Sequence, residues 1–171
     1  MKSIEYKTRL ALENKIGIRQ KSRLLVCFSG ALNSICLLNI LLNIKGRYQK
    51  CPLFSDLQCI HIQQQSKLPE NYLKDFEQKS GIKLNVIPIE KIYEEENKTF
   101  EEVSKLFKSL KKNSNSIDLL SLFRERLIRK FATENGFDFV LMGKNGESLA
   151  AEIFKYFTKG IGGSAPQLSG S

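Results

Sequence analysis

The chain predicts an α/β fold: a Rossmann-like, mostly parallel sheet with helices on both faces. Three observations predict it. Leu24 to Phe28 is an unbroken apolar run of the kind that a strand buried on both faces needs. That run stops at Ser29-Gly30 and gives way, from Asn33, to a dense helical pattern of apolar residues. Downstream, short apolar runs and helical periods keep alternating, which implies crossover connections and a ligand site beyond the carboxyl ends of the strands.

Taken in order, residues 1–23 carry Lys2, Lys7, Arg9, Lys15, Arg19, Lys21 and Arg23 against only Glu5 and Glu13, and read as a basic N-terminal arm. The α/β domain is expected over 24–159. Its first strand ends in a sharp turn, where Gly30 can take positive φ and let backbone approach a ligand. Ser29, Asn33 and Ser34 are helix-capping residue types, and Ile35, Leu37, Leu38, Leu41 and Leu42 carry the helix that follows. The free N–H groups at that helix's start favour a phosphate or pyrophosphate.

A second strand is expected over 57–62, a helix over 72–80 stopped by Gly81, and a third strand over 83–89. Residues 90–98 read as a loop or frayed helix, 100–111 as a helix and 112–116 as a linker. The longest helix is expected over 117–135, where Leu120, Phe123, Leu127, Ile128 and Phe131 form one apolar stripe. Arg124 falls within that stripe, whereas Arg126 and Arg129 point to the polar side. Two readings of Arg124 stand: a partly buried ion pair, or a phosphate contact at the sheet edge. A fourth strand over 137–142 and a helix over about 146–157 complete the domain. Residues 160–171, rich in Gly and Ser and without periodicity, read as a flexible tail.

A chain of 171 residues, 42% of them hydrophobic, suits one domain with a core of its own. The net charge of +9 favours an acidic partner such as RNA. The charge is patchy, with a second basic stretch over 108–130 and an acidic one over 90–102; solvated helix faces are the alternative reading of both. Cys27, Cys36, Cys51 and Cys59 lack the paired short spacing of a zinc or redox motif, so no metal site is expected and packed, reduced thiols are. The single histidine, His61, ends the second strand and reads as a hydrogen-bonded structural residue. No apolar run approaches bilayer length, and an intracellular protein without a membrane segment is expected.

The stretch Ser29 to Ser34, SGALNS, resembles the SGGxDS loop of the PP-loop ATP pyrophosphatases. Two further blocks follow in the family's order. Phe123-Arg124-Glu125-Arg126 is similar to the FRR segment before the fourth strand, and Leu141 to Ala150 to the GHNxDDxAE-like stretch of tRNA-thiolating members. Each block departs from the active pattern. Ala31 replaces the second glycine, Asn33 the acid, Lys144 the histidine and Ser148 the second acid, while Ile117, Leu120 and Leu122 stand where the active enzymes carry cysteines.

An intact fold with a worn loop resembles the cytoplasmic tRNA 2-thiolation protein 2 family, whose glycine-rich turn after the last helix is matched by Phe157 to Gly162. The resemblance implies a non-catalytic, cytoplasmic subunit. It would bind tRNA and a catalytic PP-loop subunit as a heterodimer in thiolating the wobble uridine of the tRNAs for lysine, glutamate and glutamine. Ser29, Gly30, Asn33 and Ser34 would be a degenerate pyrophosphate loop in which ATP is weakly held or lost. Arg124, Arg126, Arg129 and Lys144 would be the RNA or phosphate contacts. Such relatives continue past residue 171, which makes a truncated domain one of the readings. Two alternatives remain open: a working adenylating, tRNA-thiolating enzyme, and a nucleotide-binding regulatory α/β domain without RNA.

Overall fold

A computed structural model describes residues 2–49, 52–64, 70–96 and 114–158. In it the strands β1 (Arg23–Cys27), β2 (Asp56–Gln63), β3 (Leu84–Pro88) and β4 (Phe139–Met142) form one parallel sheet in the order β3-β2-β1-β4. Helix α2 (Leu32–Arg47) links β1 to β2, α3 (Glu70–Ser80) links β2 to β3, and α4 (Ser114–Glu134) precedes β4. Chain order moves outward from β1 through β2 to β3, and β4 then falls on the other side of β1. That reversal puts a crevice between the carboxyl ends of β1 and β4.

Period-two alternation divides β1 between two cores. Leu24 and Val26 face α2, where Leu38, Leu41 and Ile44 are buried; Leu25 faces α4, where Ile128 and Ala132 are buried. Both faces of the sheet are therefore covered by helices, as the apolar run over 24–28 requires. Leu127 of α4 packs on Ile89 and Ile92 of a 3₁₀ segment, Ile89–Glu96, where a loop or frayed helix is expected from sequence. Helix α4 starts at Ser114, inside the expected linker. Helix α5 (Gly146–Thr158) follows β4. The helix expected over 100–111 and the tail over 160–171 lie outside the described residues.

The segment read as a basic arm is folded against the domain. Residues Lys2–Ala11 form α1, and a π-helical turn over Leu12–Ile16 ends at Gly17, whose φ of 79° lets the chain reverse. Leu12 and Ile18 are buried with α2. Glu5, only 4% exposed, ion-pairs with Arg47 at the end of α2, and the Arg9 guanidinium lies 3.9 Å above the Tyr48 ring. Arg23, counted with the arm, is fixed at the start of β1. It donates to the Asn135 and Gly136 carbonyls, pairs with Asp56 at 3.2 Å and stacks over Phe137.

Candidate functional site

The turn after β1 is closed by its own hydroxyls. Gly30 takes φ 77°, and Ala31, in extended backbone, heads α2 without a side-chain cap of its own. The Ala31 N–H donates to Ser29 Oγ at 3.3 Å, Ser29 and Ser34 share a hydrogen bond of 3.1 Å, and Ser34 Oγ donates to the Ala31 carbonyl at 2.8 Å. Donor order runs one way round this ring, so Ser29 must donate to Ser34. Each such bond contributes about 1 kcal/mol, and Ser34 is almost wholly buried. The two hydroxyls that the sequence offers to a phosphate thus bind the loop's own backbone.

The segment after β4 leans on the same turn. A Cβ on Gly143 would lie 2.5 Å from the Asn33 oxygen, 2.7 Å from its carbonyl carbon and 2.9 Å from the Ser34 nitrogen. Only a residue without a side chain fits, so the two loops that flank the crevice touch backbone to backbone. Next along, Lys144 is ion-paired with Glu152 of α5, and Asn145 caps α5 by accepting the Ser148 N–H at 2.8 Å. Neither the Gly143 contact nor this cap is read from the sequence, although an asparagine ahead of a helix is a recognised capping signal.

Beside the turn is a cleft of about 330 Å³, lined by Ser29, Ile60, His61, Gln64, Arg124 and Ile128 among others. Arg124 is therefore not a core residue. Helix α4 runs back along the sheet from its carboxyl edge, so Ile128 covers the strands while Arg124, one turn earlier, reaches past them into the cleft wall. Among the described residues its guanidinium has no ion-pair or hydrogen-bond partner. Gln64 lines the same cleft, and its Nε2 is buried, also without a partner among them. His61 Nδ1 lies 2.8 Å from the Phe28 carbonyl and donates to it as the N–H tautomer, the structural role expected.

The other three candidate contacts are spread apart. Arg126 lines a small pocket over β3 with Lys91, Lys130 and Glu134, and Arg129 is exposed on α4. Lys144 sits by the turn with its charge held by Glu152. Of the expected site residues, the fold brings together Ser29 and Arg124 in the cleft, and Asn33 and Ser34 against the β4 loop.

Burial pushes the Cys27 and Cys59 thiols up from 9.0 to about 12, with Cys27 adding to the effect at Cys59. Both hold their protons at neutral pH, and thiols in that state neither attack nor carry sulfur efficiently. The native state keeps protons that the unfolded chain releases above 9.0, so this contribution to stability is complete below that pH and is lost as pH rises toward 12. The urea midpoint is expected to fall between about pH 9 and 11. A Cys27→Ala/Cys59→Ala variant, less stable at neutral pH, should lose less over that interval; equal losses would show the thiols are not responsible.

No family model matches the chain. It is 29% identical over 160 residues to cytoplasmic tRNA 2-thiolation protein 2 of Dictyostelium discoideum, covering 86% of this chain and 31% of that protein. It is 24% identical over 149 residues to tRNA-cytidine(32) 2-sulfurtransferase 1 of Francisella tularensis, covering 86% of this chain and 51% of that one. The similarity to tRNA-thiolation proteins is borne out. The α/β fold is likewise shared with a solved structure: the U34-tRNA thiolase NcsA of Methanococcus maripaludis, solved with its 4Fe–4S cluster, superposes with a TM-score of 0.64 at 15% identity, over 92% of this chain and 50% of that one. The chain thus spans between about a third and a half of the length of these relatives. Among the described residues, no three His, Cys, Asp or Glu side chains converge as metal ligands. No helix among them is long and apolar enough to cross a membrane.

Proposed function

We propose that this chain is a non-catalytic subunit of a cytoplasmic complex that 2-thiolates the wobble uridine of the tRNAs for lysine, glutamate and glutamine. It binds tRNA and pairs with a catalytic PP-loop subunit as a heterodimer. The observation that carries the reading is the turn over 29–34. It keeps the fold's shape, but Ala31 and Asn33 have replaced the glycine and the acid that the resemblance leads one to expect, and its hydroxyls are turned onto its own backbone. The protonated state of Cys27, the one cysteine in the cleft wall among the described residues, supports the same conclusion.

Arg124, Arg126, Arg129 and, more weakly because of Glu152, Lys144 are the proposed phosphate contacts. Affinity purification from native cells is expected to recover tRNA together with a larger protein that bears an intact SGGxDS loop and paired cysteines. Recovery of tRNA without such a protein would contradict the subunit role.

A second reading, a cleft that still holds ATP, is favoured by one observation: Arg124, whose guanidinium has no partner among the described residues, lines the cleft together with Ser29. In this reading Ser29, Gly30, Asn33 and Ser34 contact the phosphates through backbone N–H groups, which survive changes of side chain.

A further inference from the structure

We propose that the amino-terminal face, made by α1 and the turn after it, is an RNA-docking surface. Lys7, Lys15, Arg19 and Lys21 engage phosphates there, and Tyr6 offers its ring to an unpaired base. The proposal rests on the tRNA-binding reading above and deepens it by adding a contact away from the cleft. Helix α2 leaves the carboxyl end of β1 and returns to the amino end, where Arg47 and Tyr48 hold α1. The two surfaces are therefore at opposite edges of the sheet.

The segment's acids are consumed internally: Glu5 is buried against Arg47, and Glu13 accepts from Arg9 at 3.0 Å. Lys7, Lys15, Arg19 and Lys21 are all exposed, and none has a partner for its charged group among the described residues. What faces solvent is thus a run of cations whose two nearest acids are already paired, Glu5 in the interior and Glu13 with Arg9, which is complementary to a phosphate backbone.

The apolar residues decide between acidic partners. Tyr6 is 55% exposed and Ile4 58%, with Leu10 and Ile16 exposed beside them. At 100° per residue, Lys7 falls between Tyr6 and Leu10 on one side and Ile4 on the other. A helix that lies in a membrane surface segregates its apolar residues from its charges. Here they are interleaved, the pattern of single-stranded RNA binding, in which cations track the backbone and a ring stacks on a base.

The test is titration of a fluorescein-labelled tRNA transcript at salt concentrations spanning about 50–200 mM. The Lys7→Ala/Lys15→Ala/Arg19→Ala/Lys21→Ala variant should bind more weakly, and its slope of log affinity against log salt should shrink by roughly 0.7–0.9 for each phosphate no longer neutralised. Arginine in place of the three lysines should restore the slope. Tyr6→Ala should lose about fivefold or more in affinity with the slope unchanged. Circular dichroism and unfolding midpoints of all variants should match the parent.

If the parent binds tRNA and the fourfold variant binds with the same affinity and slope, this inference fails and the tRNA-binding reading stands. If the parent does not bind, both fail. Binding of the parent to phosphatidylserine vesicles, abolished in the variant while tRNA affinity is unchanged, would make the face a membrane contact and overturn the proposal.

Discussion

Gly143→Ala is expected to lower the unfolding free energy by about 2–3 kcal/mol, roughly 5–10 °C in Tm for a domain of this size. The cause is local and rigid. The new methyl group would meet the Asn33 carbonyl and the Ser34 nitrogen at 2.5–2.9 Å, and these are backbone atoms that cannot swing aside as a side-chain tip can. Either the β4 loop lifts or the turn over 29–34 moves, and the hydroxyl ring among Ser29, Ala31 and Ser34 moves with it. Gly46→Ala is the control. Gly46 lies inside α2, has nothing within 4 Å of its Cβ position, and its replacement should stabilise by about 0.5–1 kcal/mol through helix propensity. Equal effects from the two substitutions would mean that the loops are not in contact.

The second large effect is at the ion pair between α1 and α2. Arg47→Ala leaves the Glu5 carboxylate buried without its partner, a change that costs about 3–5 kcal/mol for a fully buried pair. Arg47 is nearly half exposed, so about 2–3 kcal/mol is expected here. The Glu5→Met/Arg47→Met double variant should recover much of that loss, because two apolar side chains leave no uncompensated charge. Denaturant titrations of the single and double variants supply the comparison. If the double variant is as unstable as the sum of its singles, the pair is not coupled as described.

Much of the fold is legible in the sequence because the strongest signals are local. The apolar run over 24–28, the Gly30 turn and the helical period after Asn33 place β1, the loop and α2, and the alternation that follows places β2, α3, β3 and β4. Less legible is whatever depends on residues distant in the chain. The segment over 1–23 reads only as a basic arm since nothing nearby says that Glu5 will find Arg47, or that Leu12 and Ile18 will join the α2 core. Helical phase puts Arg124 in the apolar stripe and leaves open whether it is a buried ion pair or a contact at the sheet edge, because phase gives a direction but not where the helix overhangs the sheet; one helical turn separates the buried Ile128 from a side chain in the cleft wall. The crevice is implied by the topology. That Gly143 must be bare to fit against Asn33 emerges only when β4 lies beside β1.

If the PP-loop shape persists here without the chemistry of activation, the purified chain should be silent where an adenylating enzyme turns over. The most direct test is incubation of the chain with ATP, Mg²⁺ and tRNA, measuring pyrophosphate release against a no-protein blank. The expected result is release no faster than the blank, with tRNA still bound and no sulfur transferred. Sustained, tRNA-dependent release of pyrophosphate by the chain alone, abolished by Arg124→Ala, would contradict it.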